Sequence, residues 1–419
     1  MPPLKRSVGV ALALGLVLFP PALRADETPH GKSSGGESTS AHADSAGAAT
    51  PGGGSTVVKA KSELSAYSDS DAVSVFTPAM EGSVESPATG WTATGSYLID
   101  IVSAASVDIV STASRHWTEV RHAASVGGTY KPGTVGGTVS GSVSREPDYL
   151  SLTGGASLGL ELAQKTANPT FGYSYAKDTA GRSDTPFSVY SQDLERHTLQ
   201  GALELILDPL TLVSFSVDGI FESGDQKKPY RLLPMFSSGT RVGAGASIDQ
   251  VNALRLPGRV SENLPLSRNR IAIAGRIAQR LSGSTLVLSE RGYFDDWGLK
   301  ASTTDLRFVV DMSRRVFLWA HLRAHVQSGV SFWKRAYVAT VAPGARDSVP
   351  RLRTGDREMS PLTGGTFGAG ARWNIGPASR PLAWSLVLQG DIMVTDFSDT
   401  LFIQSRVGEL GVLQLEAEF

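Results

Sequence analysis

His321 and His325 lie four residues apart and Asp295 and Asp296 are adjacent, spacings that could hold a metal ion or supply paired carboxylates for acid–base hydrolysis. On a strand the two histidines share a face but stand about 13 Å apart, too far to share one ion, so they read better as polar wall residues. Asp295-Asp296-Trp297-Gly298 has the composition of a tight turn, in which acids serve the backbone. A third pattern is broader. Arg270, Arg276, Arg280, Arg307, Arg323 and Arg372 fall on the same side of alternating segments as Glu204, Asp218, Asp305, Asp311, Asp391, Glu416 and Glu418. Charges gathered on one face must pair or stay hydrated. They can knit a closed network, or they can line a hydrated passage whose basic strip along Arg270 to Arg280 favours anions. The sequence leaves both open.

The elements that position these residues are strands. From Leu150 to Leu162 every second residue is apolar or small, and those between are mostly polar. Side chains leave a strand alternately on opposite faces, so this pattern describes a strand with one apolar side. Its length exceeds the five or six residues usual in soluble sheets and fits the roughly 9 to 11 of a strand that crosses a bilayer. The pattern recurs to the end of the chain. Ala72 to Ser86 and Trp91 to about Thr112 flank the turn at Pro87 to Gly90, with Asp100 and Asp108 on one face. Thr118 to Tyr130, Val135 to Ser144, Phe171 to Ala176, Leu199 to Leu207 and the segment around Val213 to Val217 follow. Further strands are expected at Ile271 to Arg280, Thr285 to Phe294, Leu299 to Met312, Val316 to Gln327, Phe367 to Ile375, Leu382 to Val394 and the C-terminal segment. Polar loops are expected at about 177 to 194, 223 to 266 and 328 to 361. Long loops alternate with short turns, as in a membrane barrel. About fifteen strands are clear, and a single-chain barrel of this kind has an even number. Lys61 to Asp71 supplies the sixteenth; fourteen is the fallback. The fold class is therefore all-β, a single antiparallel transmembrane barrel over residues 61–419.

Composition agrees. The chain of 419 residues is 41% hydrophobic, yet after its start it has no apolar run long enough for a membrane helix. Residues 1–25 read as a signal peptide: Lys5 and Arg6, an apolar core from Val8 to Phe19, Pro20 and Pro21, and a cut after Ala25. Twelve apolar residues are too few for a membrane anchor. Removing Lys5, Arg6 and Arg24 leaves 36 basic against 40 acidic residues, so no nucleic-acid partner is implied. The absence of cysteine excludes disulfides, thiolate chemistry and lipid attachment at an N-terminal cysteine. Residues 26–60 are Ser-, Gly- and Ala-rich and are expected to be a disordered linker, either a tether or an arm that plugs the barrel.

The chain resembles a family of uncharacterised Gram-negative outer-membrane β-barrels classed as a domain of unknown function. The matching blocks are DIVSAASVDIVSTAS from Asp100 with TEVRH after it, KPYRLLPM from Lys228, SRNR from Ser267 and YFDDWG from Tyr293. Glu290 and Gly292 replace outward aromatics of the family before DDWG. The resemblance covers residues 61–419 and implies a fold and a location, the bacterial outer membrane, without a reaction or cofactor. The final Leu413, Leu415, Ala417, Phe419 alternation is similar to the C-terminal signature of such barrels, which implies the barrel-assembly machinery as a partner besides the lipid. The leading expectation is a porin-like passive channel for small hydrophilic solutes. A closed structural or surface-binding barrel acting through its long loops is the alternative. A barrel-embedded hydrolase is weaker still, because no motif gathers serine, histidine and acid.

Overall fold

Alternation of this kind commits each strand to two unlike faces, and a sheet with one apolar face and no free edge is the outcome. The computed structural model describes residues 56–104, 117–229, 231–340, 348–375 and 383–419. Its sixteen long strands form one closed antiparallel barrel in chain order. They are β1 (Val57–Asp69), β2 (Val73–Ser86), β3 (Trp91–Ala104), β4 (Trp117–Tyr130), β5 (Val135–Glu146), β6 (Tyr149–Leu160), β7 (Ala167–Ala180) and β8 (Gln192–Asp208). The second half comprises β9 (Thr211–Gly224), β10 (Ser267–Leu281), β11 (Ser284–Asp295), β12 (Lys300–Asp311), β13 (Val316–Gln327), β14 (Leu362–Ile375), β15 (Ala383–Phe397) and β16 (Ser405–Glu418). β1 pairs with β16, Leu64 opposite Leu413, and closes the wall.

The expected sixteenth strand is thus real, and it begins at Val57, so Val57 to Ala60 belong to the barrel wall and not to the linker. The second correction concerns residues 177 to 194, expected as a loop. β7 runs on to Ala180 and β8 starts at Gln192. Their polar ends misled the pattern because strands that rise beyond lipid no longer need an apolar outer face. Asp108 lies outside the described residues.

The outer surface is apolar. Leu152, Leu158, Phe171, Phe215, Ile273, Leu322, Phe367 and Leu388 are all exposed on it. Trp91, Tyr130, Trp373, Trp384 and Phe419 ring the rim that carries both barrel ends, where Val58 and Phe419 exchange backbone hydrogen bonds. Phe221 and Phe294 are exposed towards the other rim, with Tyr97 and Tyr173 at mid-strand on the same outer face. An apolar band between two aromatic girdles is the surface a bilayer selects. The connections at the first rim are short, whereas the opposite rim carries 225–266 and 328–361.

Those two loops fold on each other. Met235–Phe236 pairs in parallel with Tyr337–Val338, Leu232–Leu233 pairs with Val260–Ser261, and Asn263 bridges to Arg353. A short helix, α1 (Ile248–Leu254), starts with a capping box between Ser247 and Gln250. Leu233, Met235, Tyr337 and Ala339 form one small core; Phe236, Val242, Ala246 and Val251 form another. The result is a packed cap in place of two irregular loops.

Candidate functional site

The inner wall carries charge in three tiers. At the cap side, Glu222 accepts from Arg196 Nε at 2.9 Å and from Arg270, and Arg196 also reaches Asp178 at 3.3 Å. Asp100 accepts from Arg121 Nε at 2.7 Å. Near the turn-side rim Arg280 meets Asp311, and Arg372 donates to Glu416 at 2.8 Å. Each of these pairs joins strands at most two apart, so the described pairing lies along the wall and not across the lumen.

The middle tier gathers arginines on one arc of the wall. Arg276, Arg291, Arg307 and Arg323 face inward on four consecutive strands, β10 to β13. Arg276 stands in register between Ser214 and Ser289, with no carboxylate partner among the described residues. Arg323 lies opposite Asp305, and Arg307 opposite His321. Asp218 and Glu204 face inward on β9 and β8, Glu204 opposite Ser214. Every expected lumen residue is therefore on the inner wall, with Arg270, Arg280, Arg372 and Asp391 among those held by neighbours. Arg291 was not among the expected residues, and neither were Arg196 and Arg121. The parity of Arg291 with Thr285 and Val287 marks its side.

His321 Nε2 is 3.2 Å from Asp391 Oδ1, although a whole strand, β14, separates them. Gly368 makes that contact possible: it pairs with His321 on one side and Asp391 on the other, and a Cβ there would overlap both. Gly370 does the same for the Trp319 ring. His325 accepts or donates at Thr303 instead, so the two histidines serve separate wall contacts as their spacing requires. Gly368→Ala is expected to displace the His321 ring and to destabilise the barrel by about 1–3 kcal/mol, measured as a lower denaturation midpoint in detergent.

Asp295 and Asp296 serve a turn. Asp295 accepts from Leu299 N at 2.8 Å and Arg268 Nε at 2.9 Å, and Asp296 accepts from Asn269 N at 3.0 Å. Trp297 donates to Ser267 O at 2.8 Å beneath the Arg268 guanidinium. The SRNR and FDDWG blocks are thus one knot at the cap-side rim. KPYRLLPM enters the cap: Arg231 pairs with Asp356 and with Glu262, which also accepts from Thr354.

The cap is tied to the far side of the rim as well. Arg357 pairs with Asp71 between β1 and β2, Glu358 is 3.2 Å from Arg406 of β16, and both arginines lie over the fully buried Phe397 ring. Arg335 donates to Asp399, and Gly245 N to Thr400 O, between β15 and β16. These ties run from the β9–β10 connection to β1, half of the mouth.

Burial pushes the Glu358 carboxyl up to about 6, against the pull of Arg406 and Arg357 and with a smaller push from Asp356. Its folded value lies above 4.5, so the closed cap binds this proton more tightly than an opened one. Closure gains about 2 kcal/mol below pH 4.5, and that gain is lost as pH rises through about 6. Amide exchange of 328–361, corrected for intrinsic rates, is expected to be slower at pH 5 than at pH 7.5; equal protection would remove Glu358 as the cause.

Residues 39–377 match a family model described as "Protein of unknown function (DUF3570)". No curated protein matches the chain. Among solved structures it is similar to OccK5 (OpdH) of Pseudomonas aeruginosa, at 8% identity over 87% of this chain and 98% of that one, with a TM-score of 0.41. It is similar to OccK11 (OpdR) of the same organism, at 10% identity over 87% and 96%, with a TM-score of 0.39. It is also similar to the ferric enterobactin receptor PfeA from Pseudomonas aeruginosa, at 10% identity over 81% and 54%, with a TM-score of 0.40. The family match spans most of the sixteen-stranded wall and the capped rim, and the chain belongs to the DUF3570 family of proteins of unknown function.

Proposed function

We propose that the protein is an outer-membrane channel that passes small hydrophilic solutes and favours anions. The observation that carries this reading is the course of the lumen charges: the ion pairs of Glu222, Asp311 and Glu416 run along the wall, and Arg276, Arg291, Arg307 and Arg323 face the lumen together on β10 to β13. Barrels of about 16 strands are wide enough for an aqueous passage. The apolar belt and its aromatic girdles support insertion in a bilayer. The short-turn rim then faces the periplasm and the cap faces outward, covering half of the mouth. Phe419, exposed at the closing seam, is the handle by which assembly machinery would take the last strand.

The deciding experiment is single-channel recording of the refolded chain in a planar bilayer, beside a version lacking residues 26–55. Steady anion-preferring conductance in both supports the channel. Conductance in the truncation alone assigns the arm as a plug. Silence in both overturns the proposal.

A second reading rests on the cap: two loops that share a core make a rigid surface for a partner. If binding is the role, removing 228–262 and 334–357 leaves any conductance intact and abolishes capture of that partner.

A further inference from the structure

Among the described residues, Glu290 is an outward charge whose backbone lies deeper in the belt than those of Lys177, Glu195, Lys300 and Glu409. Glu290 of β11 is exposed on the outer face, and Ser302 and Thr304 of β12 donate their hydroxyls to its two carboxylate oxygens. Lys177, Glu195 and Lys300 lie nearer the cap-side rim, and Glu409, three positions above the Glu290 backbone, is eight strands from His197, on the opposite side of the barrel. A charge within the lipid-facing band costs free energy in proportion to its depth. A carboxylate has about four acceptor sites, and two here are taken from the same wall.

The same face carries the complementary group. His197 of β8 is exposed outward, its Nδ1 is 2.8 Å from the Tyr173 hydroxyl, and its ring packs on Tyr175. When that hydroxyl donates to Nδ1, the imidazole keeps its proton on Nε2, which has no protein partner among the described residues. His122 of β4 repeats the arrangement with Tyr97, also at 2.8 Å.

Depth can be compared through the strand register. Followed once round the sixteen strands, paired residues advance sixteen positions towards the cap-side rim, one per strand. Corrected for that climb, His197 and His122 both lie level with Ser302; Thr304 lies two positions lower and the Glu290 backbone three, with the carboxylate reaching up between the two hydroxyls. The acceptor oxygens therefore come within about two residues of the histidine's height, within reach of its ring. They cannot meet within one barrel.

We propose that this face joins copies of the chain, Glu290 of one barrel accepting from His197 Nε2 of the next. A head-to-tail contact closes into a ring when its two halves subtend the right angle. Three of sixteen strands separate Glu290 from His197, about 70° of arc, near the about 60° that each member of a three-membered ring requires. His122 is seven strands away, an angle of about 160° that closes no small ring. The occupant is thus a second copy, and the assembly is a trimer. The inference rests on the belt facing lipid and not on solute passage.

The test is the mass of the full refolded chain in mild detergent, by light scattering, with heat-modifiable gel mobility as the check that each variant is folded. The wild type is expected as a trimer. Glu290→Leu and His197→Leu are each expected to lower the mass about threefold, and His122→Leu to leave it unchanged. Because the chain has no cysteine, Gly292→Cys with Tyr175→Cys, also level with each other, gives a second readout: oxidation should link copies into closed trimers. A monomeric wild type, a trimer that survives both Glu290→Leu and His197→Leu, equal loss in His122→Leu, or no cross-linking would each overturn the proposal.

Discussion

Changing Arg276 and Arg323 together to glutamate is expected to turn an anion-preferring pore into a cation-preferring one. The exchange moves the charge of the middle tier by four units at the level of β10 and β13. One charge about 6 Å from a passing ion contributes about 1 kcal/mol at an effective dielectric near that of a hydrated lumen. Four such units, reduced by salt, should shift the permeability ratio by at least about tenfold. The reversal potential in a salt gradient reads this directly. An unchanged value would separate these arginines from selectivity, whatever the conductance. Arg280→Glu is the contrast to Arg276→Glu, because Arg280 is already neutralised by Asp311 beside the turn-side rim.

The largest loss of stability is expected from Glu222→Ala. The Glu222 side chain is fully enclosed and holds both Arg196 and Arg270. Removing it takes from both guanidinium groups the enclosed carboxylate they share, and breaking a buried pair from one side costs about 3–5 kcal/mol. Tryptophan fluorescence during urea unfolding in detergent measures the change. Glu222→Gln, which keeps an acceptor without the charge, should fall between; a variant as stable as the parent would show that water already enters this tier.

The barrel was legible because alternation is a local property. Leu152 and Leu158 lie outside and Ser151 inside for the same reason that their order in the chain predicts it. The inward arginines followed from the same parity. What parity cannot supply is partner choice: Arg276 and Arg270 look alike in sequence, and only the neighbouring strand's register gives Glu222 to one of them. The cap was opaque for a different reason. Met235–Phe236 and Tyr337–Val338 are two-residue strands whose pairing joins distant segments, so neither segment has a period to read. The SRNR and DDWG blocks were visible as motifs, but their union through Asn269 and Asp296 required the β10–β11 ladder to bring the two together. Glu290 shows the opposite: it stood out as a departure, and its hydroxyl partners gave that departure a depth.

The seam between β1 and β16 has a consequence for the order of events in assembly. Every other ladder in the wall joins neighbours in sequence, but Leu64 meets Leu413 across almost the whole chain. The entropy of closing so long a loop grows only logarithmically, to about 5 kcal/mol, so the final wall bears it easily. Time is the harder constraint. Until Ser405 to Glu418 has arrived, β1 and β15 are open edges facing a membrane that can satisfy neither, and a nearly finished barrel is no safer than a half-finished one. The last strand therefore sets the moment at which the protein becomes a membrane protein at all.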